Sequence, residues 1–283
     1  MMKYFDLHCD TPYRMYEENL DFNSEKLSVN LKENIFEEYY QCFAVWLNDN
    51  LENPFQKYRA TLENFKENFK KSGSKIKPFF TVEGGAVLEG NVDNLYHLKN
   101  DGIKALTLTW NGQNQIASGV DSLGGITNFG REVVRVMNSL KIACDLSHLN
   151  RESFYGALEE TEFPIATHSC SYEVYPHKRN LNADQIKELF EKNGIMGLCF
   201  YPKFLGEGDV FENIYNHLFY LLDKGYENHI AMGSDFDGAD MDKKLCRASN
   251  VSTLYEFLKE KGIDTQILDK IFFYNAKKFF EKI

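Results

Sequence analysis

The chain has 283 residues, 43% hydrophobic and 26% charged, a globular balance with ample apolar material for a large core and none of the depletion that marks disorder. Its formal net charge of -10 argues against a nucleic-acid backbone or an anionic membrane as partner, since either would be met by basic residues. No stretch approaches the ~20 apolar residues that span a bilayer, and the chain enters its first apolar run without a charged-then-apolar leader, so a cytoplasmic protein acting on a small molecule is expected.

In chain order, short runs rich in Val, Ile, Phe and Leu read as strands at KYFDLHC (3–9), QCFAVWL (41–47), KPFFTVE (77–83), IKALTLT (103–109), KIACDLS (141–147), FPIATHS (163–169), IMGLCFY (195–201) and HIAMGSDF (229–236). Helical periods lie between and after them at 55–71, 91–100, 128–140, 151–161, 183–193, 211–224, 252–261 and 265–281, several stopped by a following glycine. The connection 11–40 is the least regular and leaves room for a hairpin or short helix. No repeat, low-complexity tract or Pro/Gly/Ser-rich linker divides the chain, so residues 1–283 are expected to form a single domain.

A strand-then-helix rhythm repeated eight times predicts an α/β fold of the (β/α)8 TIM-barrel type. A doubly wound open sheet is the alternative, but neither GxGxxG nor GxxxxGK[ST] follows a strand, so its usual phosphate cradle is missing. The six cysteines, at 9, 42, 144, 170, 199 and 246, form no CxxC pair and read as small buried hydrophobes in a reducing compartment.

Barrels of this type place their chemistry at the C-terminal ends of the strands. The first strand ends in His8 and Asp10, the third in Glu83, and the fourth in Trp110 and Asn111. The fifth, sixth and seventh strands end in His148, His168 and Tyr201, and the eighth in Asp235 with Asp237. Three imidazoles and at least three carboxylates converging on one mouth suit divalent metals, zinc or its neighbours, in an open site, and Glu83 is placed to bridge two ions. On an alternating strand Asp6, His8 and Asp10 share one face while Phe5, Leu7 and Cys9 take the other. His97, His217 and His229 fall at structural positions, and His177 lies in a loop.

These motifs resemble the membrane dipeptidase (renal dipeptidase) family of zinc metallopeptidases. The resemblance runs in order through FDLHCDTP, TVEGG, LTLTWNGQNQIASG, GGITNFGREVVRVMN, CDLSHLN, ATHSCSYEVYPHKRNL and GSDFDG, from residue 5 to 238. It implies a (β/α)8 barrel holding two Zn2+ ions, with His8 and Asp10 on one, His148 and His168 on the other, Glu83 bridging, and Asp235 contacting the attacking water. It implies a dipeptidase that tolerates a C-terminal D-residue, whose Arg179 receives the substrate carboxylate; the family alone suggests a homodimer. Asp6 would either support the ligands or make a plain internal hydrogen bond, and Tyr201 would line the pocket.

One position departs from the resemblance. Trp110 stands where many members carry a histidine thought to assist the substrate carbonyl, and an indole N–H donates a hydrogen bond but gains no proton. Asn111 and Asn114 are candidates to substitute for it. Two alternatives follow: a metal-dependent hydrolase of another small amide or ester, and a non-catalytic barrel, which would be expected to have lost its ligands.

Overall fold

The structure, a computed structural model, describes residues 2–283. All eight expected runs form strands: β1 (Tyr4–Cys9), β2 (Tyr39–Trp46), β3 (Lys77–Glu83), β4 (Ile103–Thr107), β5 (Ala143–Asp145), β6 (Pro164–Ser169), β7 (Ile195–Leu198) and β8 (Ile230–Met232). They pair in parallel, each with the next, and β8 returns to β1, closing the barrel. The connection after β1 carries a short helix, α1 (Thr11–Glu17). The outer layer continues with α2 (Pro54–Ser72), α3 (Asn94–Asn100), α4 (Asn128–Leu140), α5 (Arg151–Glu160), α6 (Ala183–Glu191), α7 (Pro202–Leu205), α8 (Val210–Asp223) and α9 (Val251–Glu260).

Apolar side chains sort into two layers, as a barrel wrapped by amphipathic helices requires. Cys42, Ala105, Ala143, Ile165, Ile195 and Ala231 fill the barrel, one from each of six strands, together with Phe5 and Leu7 of β1 and Phe79 of β3. Between strands and helices lies a larger cluster that includes Tyr4, Cys9, Phe43, Leu106, Cys144 and Met232.

This sorting corrects the expected alternation of β1. Phe5 and Leu7 point into the barrel, whereas Cys9 packs with the outer layer, because the register against β2 slips between Asp6 and Cys9. Bulges of this kind re-aim a side chain at a barrel rim. Asp6 and His8 therefore do not share a task. The Asp6 carboxylate accepts from Ser234 N at 2.8 Å and Oγ at 2.6 Å and from His8 N at 3.3 Å, so it is an internal hydrogen-bond acceptor that ties the ends of β1 and β8 together.

Strands β5, β7 and β8 are shorter than expected because the chain leaves the ladder to build the mouth. His148, Asp235 and Asp237 all take positive φ, 68°, 66° and 66°, a backbone state that costs a non-glycine residue on the order of 1 kcal/mol and clusters at functional sites. At Gly233 a side chain is excluded outright, since a Cβ would lie 1.8 Å from Thr167 O across the barrel.

The helix expected at 265–281 is interrupted: α10 (Thr265–Asp269) and α11 (Asn275–Phe280) flank a π-helical turn at Lys270–Tyr274. Asn275 donates to Glu227 O and Ile230 O at the foot of β8, and Phe273 and Phe280 lie against Phe5, closing the N-terminal end of the barrel. Among the described residues no helix is long and apolar enough to cross a membrane, and all six cysteines are free thiols.

Candidate metal centre

Glu83 ends β3 between two groups of side chains. Its Oε2 lies 3.2 Å from His8 Nε2, which is itself 3.3 Å from Asp10 Oδ2 and 3.9 Å from Asp235 Oδ1. Its Oε1 lies 2.7 Å from His148 Nε2 and 3.8 Å from His168 Nε2. The five residues His8, Asp10, Glu83, His148 and His168 are buried, and Asp235 is nearly so. Backbone bonds beyond the ladder set this convergence: Asp10 N donates to Phe236 O at 2.8 Å and Asp235 N to His8 O at 3.1 Å, which stitches the ends of β1 and β8 together. Asp237 turns away; its carboxylate accepts from Thr11 Oγ1, Arg14, Ser28 N and Val29 N and anchors the 11–40 connection.

Burial governs the electrostatics. It pushes Asp235 up to about 8 and Asp10 up to about 6, with His8 pulling each back. Burial opposes charge on His8 as well, but Asp10 and Glu83 beside it raise its pKa well above the imidazole value. Glu83 is held well below the carboxylate range because His148 and His8 outweigh its burial. His148 falls to about 4 through burial and the neighbouring Arg179, and His168 well below the imidazole value through burial and His8. Three carboxylates and three imidazoles in one dry place require positive charge among them.

His148 Nδ1 lies 2.8 Å from Asn111 Oδ1, an acceptor, so Nδ1 carries the proton and Nε2 presents a lone pair. That lone pair faces Glu83 Oε1 at 2.7 Å and His168 Nε2 at 2.8 Å. His8 Nε2 and Asp10 Oδ1 are buried without any hydrogen-bond partner. His148 Nε2, Glu83 Oε1 and Asp10 Oδ1 are acceptors that a cation among them would satisfy, and the donor set of imidazole nitrogen and carboxylate oxygen is that of zinc and its neighbours. The residues fit divalent ions.

The mouth above this cluster is a cavity of about 820 Å³. On the β6–β7 side Arg179 is buried, its Nη2 donating to His168 O at 3.2 Å, its Nε without a partner and its guanidinium 5.2 Å from the Phe204 ring centre. Tyr201 lines the same wall, edge-on to Phe204. Opposite stand Tyr13, Trp46 and Trp110, stacked edge to face at 4.7 and 5.2 Å. Asn111 lines the cavity, but its amide oxygen is taken by His148. Asn114 is spent on its own loop, donating to Leu108 O and accepting from Ile116 N and Ala117 N, so it does not substitute for a catalytic histidine.

Three contributors escaped the sequence reading. Asp49 accepts from the backbone N–H of Trp110 and Gly112 and fixes the loop that carries the indole. Trp46 ends β2 facing the mouth, a position the strand-end rule reaches but chemistry did not single out. Gly238 has no side chain to notice, yet a Cβ there would stand 2.0 Å from Asp10 Oδ2 and 2.8 Å from Asp235 Oδ1.

Comparison with known proteins bears on this geometry. The model of the membrane dipeptidase family, peptidase family M19, matches residues 60–283. An uncharacterized protein from the pqqA 5' region of Klebsiella pneumoniae is 30% identical over 209 residues, 69% of this chain and 77% of that protein. An uncharacterized dipeptidase of Schizosaccharomyces pombe is 31% identical over 205 residues, 69% of this chain but half of the yeast protein's length. Among solved structures, dipeptidase AC, a metallopeptidase of family M19, superposes with a TM-score of 0.91 at 23% identity over 99% of this chain and 98% of its own. A Rhodobacter sphaeroides metallopeptidase, liganded with a phosphinate mimic of the dipeptide L-Ala-D-Ala, gives 0.87 at 22% identity over 99% of both chains. At these identities the structures establish a shared barrel fold.

Proposed function

The chain belongs to the membrane dipeptidase family, peptidase family M19, whose members are metal-dependent hydrolases, and from that premise we propose that it is a binuclear zinc dipeptidase that accepts a C-terminal D-residue. The observation that carries this reading is the division of Glu83, one oxygen toward His8 and the other toward His148. His8, Asp10 and Glu83 Oε2 would hold one ion; His148, His168 and Glu83 Oε1 would hold the other. Bound divalent ions supply Lewis-acid polarisation of the scissile carbonyl and a water acidified to near neutrality.

The chain's own groups do the rest. Arg179, buried with an unpartnered Nε, presents a fixed planar cation to the substrate's terminal carboxylate and so limits length. Asp235 Oδ1, 3.9 Å from His8 Nε2 at the edge of the cluster, takes the proton from the attacking water as the ionised carboxylate and passes it to the leaving amine, a role to which burial contributes by raising its proton affinity. The phosphinate complex of the Rhodobacter relative, a tetrahedral mimic with a C-terminal D-alanine, is the reason to include D-residues. Arg179→Ala should raise KM for dipeptides roughly 10²-fold, since truncating one partner of a buried charge pair costs a few kcal/mol. It should leave KM for a C-terminally amidated analogue nearly unchanged; an equal rise for both would remove the assigned role.

Trp110 favours a second reading, hydrolysis of another small amide or ester. Its indole packs edge-on against Trp46 and its backbone N–H is held by Asp49, at the position where the family resemblance implies a histidine that assists the carbonyl oxygen. Zinc-loaded protein should be assayed on L-L and L-D dipeptides, N-acyl amino acids and phosphoesters. Dipeptide cleavage dominating the panel supports the first reading; turnover confined to acylated substrates supports the second.

A further inference from the structure

His168 has two ways to place its single ring proton, and only one of them can bind metal. With the proton on Nε2 it would donate to the His148 lone pair 2.8 Å away, a locally satisfying hydrogen bond that leaves no ligand atom. With the proton on Nδ1, Nε2 is free. The surroundings of Nδ1 decide between them. Its neighbour is Thr167 Oγ1 at 3.0 Å, a hydroxyl that can donate or accept. That hydroxyl also lies 2.6 Å from Asp145 Oδ2, an approach that demands a proton between the two oxygens.

Asp145 is fully committed as an acceptor. Its Oδ1 takes Ser147 N and Thr167 N, each at 3.0 Å, and its Oδ2 takes Thr107 Oγ1 at 2.5 Å as well as Thr167 Oγ1. The Thr167 proton therefore points to Asp145, and toward His168 the hydroxyl can only accept. Ser147 Oγ, 3.4 Å from Thr167 Oγ1, leaves that assignment unchanged, because a hydroxyl oxygen has two lone pairs.

We propose that Asp145 and Thr167 are positioning residues that lock His168 in its Nδ1–H tautomer and so keep Nε2 available to a metal. The proposal rests on the reading of His168 as a ligand. Neither residue lines the cavity. Outer hydrogen bonds to a ligating histidine are commonly worth 10- to 100-fold in metal affinity. Asp6 performs no such task for His8, because its oxygens are spent on Ser234 and on the His8 backbone.

Zinc affinity is to be measured by competition with a chromogenic chelator for the full chain and for H168A, T167V, T167S and D145N, with far-UV circular dichroism as a check on folding. T167S, which keeps the hydroxyl, should bind within about threefold of wild type, and T167V on the order of 10- to 100-fold more weakly. D145N is isosteric but makes its Oδ2 position a donor, which turns the Thr167 proton toward His168 Nδ1; it should weaken binding to a similar extent. In the metal-stripped wild-type chain, imidazole 15N shifts should show Nδ1 protonated and Nε2 bare. A proton on Nε2 overturns the proposal, as does wild-type zinc affinity in folded T167V and D145N when H168A has lost zinc. Should H168A itself bind like wild type, His168 is not a ligand, and the metal assignment fails independently of the tautomer.

Discussion

Gly238 occupies a place where one methyl group would collide with two carboxylates. A Cβ would fall 2.0 Å from Asp10 Oδ2 and 2.8 Å from Asp235 Oδ1, and neither side chain can retreat from a buried cluster without losing its aim. Gly238→Ala should reduce kcat/KM on the order of 10²-fold, the usual consequence of a misplacement near 1 Å, and lower the zinc content. Its far-UV spectrum should stay unchanged; wild-type turnover would show that Asp10 and Asp235 are less tightly placed than the contact implies. At this scale the sequence disclosed the ionisable residues because their chemistry is written in their side chains. It concealed what each one touches. Asp6 and Asp10 are identical as letters, yet one caps backbone amides and the other joins the cluster, a difference made by a register slip that no local pattern reports. Asn111 and Asn114 likewise looked interchangeable, and the fold gives one to His148 and the other to its own loop.

Among the elements, the 11–40 connection depends on a single carboxylate. Asp237 is buried and receives Thr11, Arg14, Ser28 and Val29, so Asp237→Ala would leave four donors without their acceptor. A loss of about 2–4 kcal/mol in stability is expected, with faster amide hydrogen exchange over residues 11–33; exchange unchanged there would mean that the connection is held by its apolar packing alone. Helix α8 supplies a second test. His217 is buried, accepts from Ser171 N at 3.2 Å and bonds Leu205 O at 3.1 Å, and burial lowers its pKa from 6.5 to about 4. A histidine kept neutral in the folded state contributes stability that is complete above pH 6.5 and is lost as pH falls toward 4, up to about 3 kcal/mol. His217→Gln should flatten that part of the stability-pH curve; a slope identical to wild type would place the acid sensitivity elsewhere. Element existence was legible from hydrophobic periodicity, and all eight strands stand where it placed them. Their ends were not: β5 and β8 leave the ladder through His148, Asp235 and Asp237, which take positive φ because of the contacts they make at the mouth and not because of a local turn pattern. The π-turn at Lys270–Tyr274 was hidden for a similar reason: Asn275 reaches carbonyls at the foot of β8, a contact made by tertiary structure alone.

For the whole molecule, the barrel has one end sealed and the other open. Phe5, Phe79, Phe273 and Phe280 close the N-terminal face with aromatic contacts of 5.0 to 6.4 Å, while the C-terminal face opens on the cavity above Glu83. The barrel class followed from the strand-helix rhythm, and the convergence of side chains from β1, β3, β5, β6 and β8 followed from the barrel. The seal did not, since nothing in the final helix marks its phenylalanines as facing a strand interior. The central claim is that this convergence holds two ions on which hydrolysis depends. Elemental analysis of the purified chain, paired with dipeptide hydrolysis before and after chelation and after return of zinc, tests it most directly. About two zinc ions per chain and about one in Glu83→Ala, with activity that chelation removes and zinc restores, is the predicted result; a wild-type chain that binds no metal when zinc is supplied, or cleaves dipeptides without it, would contradict the account.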